Sequence, residues 1–202
     1  MSSARFLEVA ASGPKADTAT APANASVERL MDRYVEGDAA AFDELYRALS
    51  PKLFAYLLRL TRNRERAEDL LQITFAKLHR ARTSYMAGAP LLPWVLAIAR
   101  RAFYDERRAA KSRHEDLSND GTLPEPRGDD GGIPVDLADA LDRALDRLPE
   151  GYREAIQLTK ITGLSLTEAA EVLGTTASAV KLRVHRGYNL LRKELDAYSR
   201  GS

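Results

Sequence analysis

The stretch from Ser165 to Leu195 constrains this chain more than any other. Ser165-Leu166-Thr167-Glu168 has the spacing of a capping box. In that motif the Ser hydroxyl accepts the Glu backbone N–H, and the Glu side chain reaches back to the Ser backbone N–H. Ala169, Ala170, Val172 and Leu173 then supply the packing face of a short helix. Gly174 follows, able to take the left-handed conformation a tight turn needs, and Thr175 or Thr176 can cap a second helix. On that helix, at about 100° per residue, Val180, Val184, Tyr188, Leu191 and Leu195 share one side. The pattern predicts two short helices joined by a tight turn, the layout of a helix-turn-helix.

The opposite face of the second helix carries its chemistry. Ser178, Leu182, His185, Arg186 and Asn189 lie there, with Lys181 and Arg183 on the flanks. Residues 177–195 hold five Lys/Arg against one Glu, although the whole chain of 202 residues has a net charge of only +1. Basic and polar groups on one exposed face suit phosphates and base edges in a major groove. Leu182, apolar on this exposed face, is either a contact for a thymine methyl or a tolerated surface Leu. A plain solvated basic helix is the competing reading, and it does not explain why cap, turn and charge coincide.

The remaining chain reads as helix with two breaks. Residues 1–25 are rich in Ala, Ser, Thr and Pro without periodicity, a composition that predicts a disordered tail. Residues 113–135 hold four Gly and three Pro, and 115–136 holds seven acids against one Arg. That stretch is too long for an ordinary loop and reads as a flexible acidic linker. The expected fold is therefore all-α, with small helical domains at 26–112 and 136–198. In the first, helices are expected at 27–36, from 39 after an Asp38 cap, from a restart at Pro51 to Leu60, at 64–82 behind Asn63, and at 91–111. In the second they are expected at 136–147, 150–162, 166–173 and 177–197.

Two first-domain helices carry candidate sites. The helix near 64–82 has a core stripe of Ala67, Leu71, Phe75 and Leu78. Glu65, Asp69, Gln72 and Ala76 lie opposite with Ile73 at the edge of that face, and an exposed Ile beside an Asp and a Gln hints at a protein-binding surface, with an ordinary solvated face as the competing reading. On the helix near 91–111, Arg100, Arg101, Tyr104, Arg107, Arg108 and Lys111 gather on one side. Val95, Ile98, Ala99 and Ala102 oppose them, with Trp94 as a core anchor. Cations with an interleaved aromatic suit a nucleic-acid strand, because the cations hold phosphates and the ring stacks on a base.

Several classes are disfavoured. There is no Cys, so disulfides and thiolate metal sites are excluded. His79, His114 and His185 lie far apart, and no metal or cofactor is expected. No apolar run is long enough to span a bilayer. Neither a P-loop, nor a dinucleotide fingerprint, nor a nucleophile–base pair is evident, so no catalytic residue is expected. The reading is a soluble cytoplasmic protein that is not an enzyme.

Taken together, these residues resemble a bacterial RNA polymerase sigma factor of the extracytoplasmic-function (ECF) type, over about 27–196. Ala67-Glu68-Asp69-Leu70-Leu71-Gln72-Ile73-Thr74-Phe75 looks like the helix that docks on the β′ clamp helices of core RNA polymerase. The resemblance makes Glu68, Asp69, Gln72, Ile73 and Ala76 the core-binding residues. Pro93-Trp94 through Arg108 looks like the helix that opens and reads the minus-10 element, a role implied for Arg100, Arg101, Tyr104, Arg107, Arg108 and Lys111. Ala179 through Arg186 looks like the minus-35 recognition segment, implying promoter contacts for Ser178, Lys181, Leu182, Arg183, His185 and Arg186. Ile73 stands where the family commonly has an acid, Arg101 where it often has Asn, and Leu182 where a small polar residue is frequent.

The resemblance implies a sigma region 2-like bundle and a sigma region 4-like helix-turn-helix. The linker would thread the polymerase's channels, and the partners would be core polymerase (β′ and β), promoter DNA and an anti-sigma factor. The competing functions are a stand-alone helix-turn-helix regulator and a protein that sequesters an anti-sigma factor.

Overall fold

A computed structural model of the chain describes residues 21–117 and 143–200, with side chains over 27–112 and 143–195. The described residues are helical, with no strand among them. The first unit comprises α1 (Ala21–Val35), α2 (Ala39–Thr61), α3 (Arg64–Ala81), a 3-10 turn at Arg82–Ser84, and α4 (Leu91–Leu117). In the second, a helical turn at 143–146 leads to α5 (Glu150–Ile156) and a π-helical turn, Gln157–Ile161. Then come α6 (Leu166–Leu173) and α7 (Ala177–Arg200).

The local signals act at the expected places. Asp38 Oδ1 accepts the Ala40 and Ala41 N–H groups at 3.0 and 3.4 Å and starts α2. Asn63 Oδ1 accepts the Arg66 N–H at 2.9 Å and starts α3. Glu28 of α1 accepts the Leu91 N–H at 3.0 Å at the start of α4. There its charge also complements the positive helix end.

Three expectations shift. α1 begins at Ala21, inside the segment expected to lack structure, and residues 1–20 lie outside the described part. α4 runs on to Leu117. Residues 118–135 of the expected linker, and 136–142 of the helix expected at 136–147, are also outside it. Pro51 does not restart the chain, because α2 passes through it without interruption. Leu45, Leu49, Leu53, Tyr56 and Leu57 form one buried stripe across the proline. Each such apolar side chain contributes about 1.5–3 kcal/mol on burial, which together outweighs the roughly 3 kcal/mol an internal proline costs. The Ser50 hydroxyl donates to the Tyr46 carbonyl at 2.5 Å in the turn the proline disturbs.

Helices α1 to α4 pack as a bundle, and α7 packs across α5 and α6. The two units are not separate in space. α6 lies against α4, and one apolar cluster runs from Met31, Leu45 and Leu96 to Leu158, Ala169 and Val180. A smaller cluster of Ala144, Leu145, Leu148, Ile156 and Leu191 holds the 143–146 turn to α5 and α7.

One glycine is placed by packing. A Cβ on Gly187 would stand 2.7 Å from Ile156 Cδ1 and 3.4 Å from Tyr152 Cβ. Gly187→Leu is expected to destabilise the chain by about 1–3 kcal/mol through overpacking. Gly187→Ala should stay close to neutral, since a small shift of the Ile156 terminus is offset by about 1 kcal/mol of helix propensity. Thermal unfolding of the two variants against the parent checks this ordering.

Candidate polymerase and nucleic-acid interfaces

On α3, Ala67, Leu70, Leu71, Thr74, Phe75 and Leu78 are buried. Glu68, Asp69, Gln72, Ile73 and Ala76 are all exposed. Their spacing of one, four, five and eight residues makes a single strip along the helix. Ile73 is 42% exposed, an unusual position for a large aliphatic side chain beside a carboxylate. Glu68 is paired with Arg64 at 2.9 Å on the same helix. At its solvent-facing margins α3 is joined to α4 by two ion pairs, Lys77–Asp105 at 3.2 Å and Arg66–Glu106 at 3.1 Å. Hydrogen bonds from Lys77 and Arg108 hold the Asp105 carboxyl below the ordinary carboxylate range. The strip is thus presented on a braced helix.

The helix-turn-helix is built as its residues require. The Glu168 N–H donates to Ser165 Oγ at 3.2 Å, and the Ser165 N–H donates to Glu168 Oε2 at 2.8 Å. Gly174 takes φ +63°, and Thr176, not Thr175, caps α7 by accepting the Ala179 N–H at 3.2 Å. Val180, Val184 and Leu191 are buried, while Ser178, Lys181, Leu182, His185 and Arg186 are exposed and Arg183 is half-buried. Leu182 stands 47% exposed in the middle of this basic face.

The basic stripe of α4 divides in two. Arg101, Arg108 and Lys111 are exposed to solvent, and Arg108 reaches Asp105 of its own helix at 2.5 Å. Arg100, Tyr104 and Arg107 turn instead toward α5 of the second unit. Arg100 Nε and Nη2 donate to the two carboxylate oxygens of Glu154 at 2.9 and 3.2 Å. The Tyr56 hydroxyl of α2 donates to Glu154 Oε1 at 3.1 Å. The Tyr104 hydroxyl lies 3.0 Å from Glu150 Oε1 and 3.4 Å from Glu154 Oε2, and Arg107 Nη1 donates to Glu150 Oε1 at 2.7 Å. The Arg100 guanidinium also sits over the Tyr104 ring, 4.6 Å from its centre.

Glu154 is 2% exposed, so its charge has left water and depends on these donors. Removing one partner of such a buried pair typically costs about 3–5 kcal/mol. Burial and the Glu154 charge push the Tyr56 hydroxyl well above the ordinary tyrosine range, so it stays a donor. The Arg107–Glu150 pair is half-exposed and contributes about 0–1 kcal/mol.

The remaining expected features sit as follows. Trp94 is half-buried with its ring 5.5 Å from that of Tyr85, a packing role. Burial raises the Tyr85 hydroxyl to about 12, and it donates to the Ala89 carbonyl within its own loop. Met86, at the tip of that loop, is 77% exposed. Among the described residues no cluster of His, Asp and Glu could hold a metal, and no helix is long and apolar enough to cross a membrane.

Residues 45–113 match sigma-70 region 2, and residues 138–191 match sigma-70 region 4. The RNA polymerase sigma factor CarQ of Myxococcus xanthus is 36% identical over 168 residues, 82% of this chain and 95% of that protein. The ECF sigma factor SigF of Caulobacter vibrioides is 32% identical over 84% of this chain and 93% of its own length. The chain belongs to the ECF sigma factors.

Two solved structures of sigma factors share its architecture. One is RpoE with the anti-sigma factor NepR from Bartonella quintana, with TM-score 0.65 and 30% identity over 77% of this chain and 96% of that one. The other is CnrH with the cytosolic domain of CnrY, with TM-score 0.64 and 25% identity over 87% and 98%. As an ECF sigma factor the chain directs transcription initiation, and neither competing function is favoured. The region 2 match starts within α2 and ends within α4, and the region 4 match ends within α7. The acids that meet the α4 stripe, Glu150 and Glu154, lie one helical turn apart. That i, i+4 spacing is the complement of Arg100, Tyr104 and Arg107, and it is the only signal in the sequence that could have found them.

Proposed function

We propose that this sigma factor divides its work among the three surfaces described above. The α3 strip of Glu68, Asp69, Gln72, Ile73 and Ala76 docks on the β′ clamp helices of core RNA polymerase. The α4 stripe of Arg100, Arg101, Tyr104, Arg107, Arg108 and Lys111 binds the unpaired non-template strand of the minus-10 element, helped by the 83–91 loop. The α7 face of Ser178, Lys181, Leu182, Arg183, His185 and Arg186 reads the minus-35 duplex. The first two surfaces belong to an N-terminal domain that α4 carries on to Leu117, and the third to a domain at 136–198, joined by the acidic stretch between them.

The observation that carries this reading is the sorting of side chains on three helices. In each, the apolar stripe is buried and the polar strip is left outside, apart from the portion of the α4 stripe that meets α5. Base readout by Lys181 and Arg186 and phosphate contacts by their neighbours follow from direct readout in the major groove. Taking a base out of the stack costs a few kcal/mol, and the Met86 loop and Tyr104 offer apolar and aromatic surface to offset it. No residue here is assigned a catalytic step, since polymerisation belongs to the core enzyme. The protein works in the cytoplasm, where core polymerase is found, and an anti-sigma factor is its expected inhibitor, as in the complexes its structural relatives form.

Site-specific photo-cross-linking tests the assignment. A benzophenone at Gln72 should capture β′ in the assembled holoenzyme, one at Arg101 the non-template strand near minus-10, and one at Leu182 the minus-35 duplex. Capture of DNA from Gln72, or of β′ from Leu182, would overturn it.

A further inference from the structure

The loop that leads into α4, given a share in strand capture above, is held in place by α1. We propose that Glu28 of α1 is a positioning residue for promoter-strand capture: its carboxylate sets where α4 begins, and through that start it sets the register of the loop against the α4 stripe. The inference rests on the strand-binding role given to α4 and this loop.

Three observations carry it. First, α4 has no cap of its own. The chain enters the helix at Leu91 from Pro90, which has no side-chain oxygen to offer. The first N–H groups of a helix have no partner inside it, and a capping oxygen ordinarily comes from the residue just before. Here Glu28 Oε1 accepts the Leu91 N–H at 3.0 Å, from 63 residues away. Leu91 and Leu92 are both buried, so solvent is a poor substitute for that acceptor.

Second, the loop moves with this start. The Tyr85 hydroxyl donates to the Ala89 carbonyl, and the Ala89 N–H donates to the Met86 carbonyl at 3.0 Å. Gly88 takes φ +76°, a conformation that favours glycine. The Tyr85 ring packs on Trp94 in the first turn of α4, with 5.5 Å between ring centres. Residues 85–89 are thus closed on themselves and joined to α4 at Pro90 and Trp94. Met86 projects from this unit, 77% exposed. A shift at Leu91 carries Met86 with it.

Third, α1 keeps carboxylate oxygens unmet at this place. Glu28 Oε2 and Asp32 Oδ1, one helical turn apart, are buried without a hydrogen-bond partner. Burial, with the Glu28 and Asp32 charges next, raises the Tyr85 hydroxyl to about 12, so it stays a donor to Ala89. Carboxylates with oxygens left unmet are a costly way to stabilise a fold, since buried polar groups are otherwise almost always satisfied. Holding a strand-binding loop in register accounts for them.

The test uses the full chain assembled with core polymerase on a promoter fragment that it transcribes. A benzophenone at Met86 reports which non-template nucleotide the loop meets. Permanganate reactivity of unpaired thymines reports the rate of opening. Glu28→Ala should bind core polymerase within about twofold of the parent. It should open the promoter roughly 10-fold more slowly, the scale of one buried donor left unmet, and spread the Met86 cross-links over neighbouring nucleotides. Glu28→Gln keeps an oxygen for the Leu91 N–H and should restore both the cross-link position and most of the rate. Arg101→Ala, which removes an exposed cation of the stripe, should slow opening without moving the cross-links.

Glu28→Ala that opens at the parent rate with its cross-links in place would overturn the positioning role. So would Glu28→Gln behaving like Glu28→Ala, which would trace the effect to charge. Loss of core affinity in Glu28→Ala would make Glu28 a structural residue and overturn the role as well. A parent chain whose Met86 captures no strand would also overturn it, and if Arg101→Ala then opens normally, the strand-binding role of α4 falls too.

Discussion

A chain carrying Asp69→Arg and Gln72→Ala should fold like the parent and capture core RNA polymerase at least roughly 100-fold more weakly, a loss of about 2.7 kcal/mol. Both side chains are exposed, so little folding energy is at stake, and surface substitutions of this kind usually stay within about 0.5 kcal/mol of neutral. At an interface the same change acts differently. Placing like charges against each other at a contact costs several kcal/mol. Ile73 beside them supplies an apolar anchor in the middle of the strip, so Ile73→Ala should weaken capture as well, by a smaller factor. Anisotropy titration of labelled protein with core polymerase measures the loss, and thermal unfolding checks that the fold is intact. Unchanged affinity would move the docking surface elsewhere.

The second large effect belongs to α7. Lys181→Ala with Arg186→Ala removes two exposed cations from the face that looks outward beside Leu182. A good base contact discriminates by about 1–3 kcal/mol, so the pair should cost about 2–6 kcal/mol, at least roughly 30-fold, on a duplex bearing the minus-35 element. The salt dependence separates roles. A residue that holds a phosphate lowers the slope of log affinity against log salt by about one, whereas a residue that reads a base relaxes specificity at its position. Leu182→Ser should leave the salt slope alone and alter the preference for a thymine. Binding of the double variant within twofold of the parent would contradict the assignment of α7.

What the sequence disclosed tracks the range of the forces involved. Ser165, Glu168, Gly174 and Thr176 act within four residues of themselves, so α6 and the start of α7 fall where local hydrogen-bond rules put them. The exposed strips on α3 and α7 follow from helical periodicity alone. Pro51 misled because its local cost is opposed by a buried stripe whose partners come from α1, α3 and α4, which a local rule does not see. The π-helical turn at Gln157–Ile161 has no distinct sequence signal, since QLTKI reads as ordinary helix.

The contact between the two units was hidden for a further reason. Tyr56 and Glu154 are 98 residues apart, and nothing in the flanking pattern marks Glu154 as a residue that loses its water. The basic stripe of α4 was legible as a charge pattern, but its division into a solvent-facing half and a half that meets α5 is a property of the packed chain.

The central claim is that this chain, added to core polymerase, directs initiation through all three surfaces. In vitro transcription with purified bacterial core enzyme, with and without the protein, on a pool of genomic promoter fragments tests it most directly. Discrete transcripts are expected only when the protein is present, lost with Asp69→Arg and Gln72→Ala and with Lys181→Ala and Arg186→Ala. Absence of transcripts and of co-elution with core polymerase, together with tight binding to duplex fragments, would contradict it and return the chain to the class of stand-alone DNA-binding regulators.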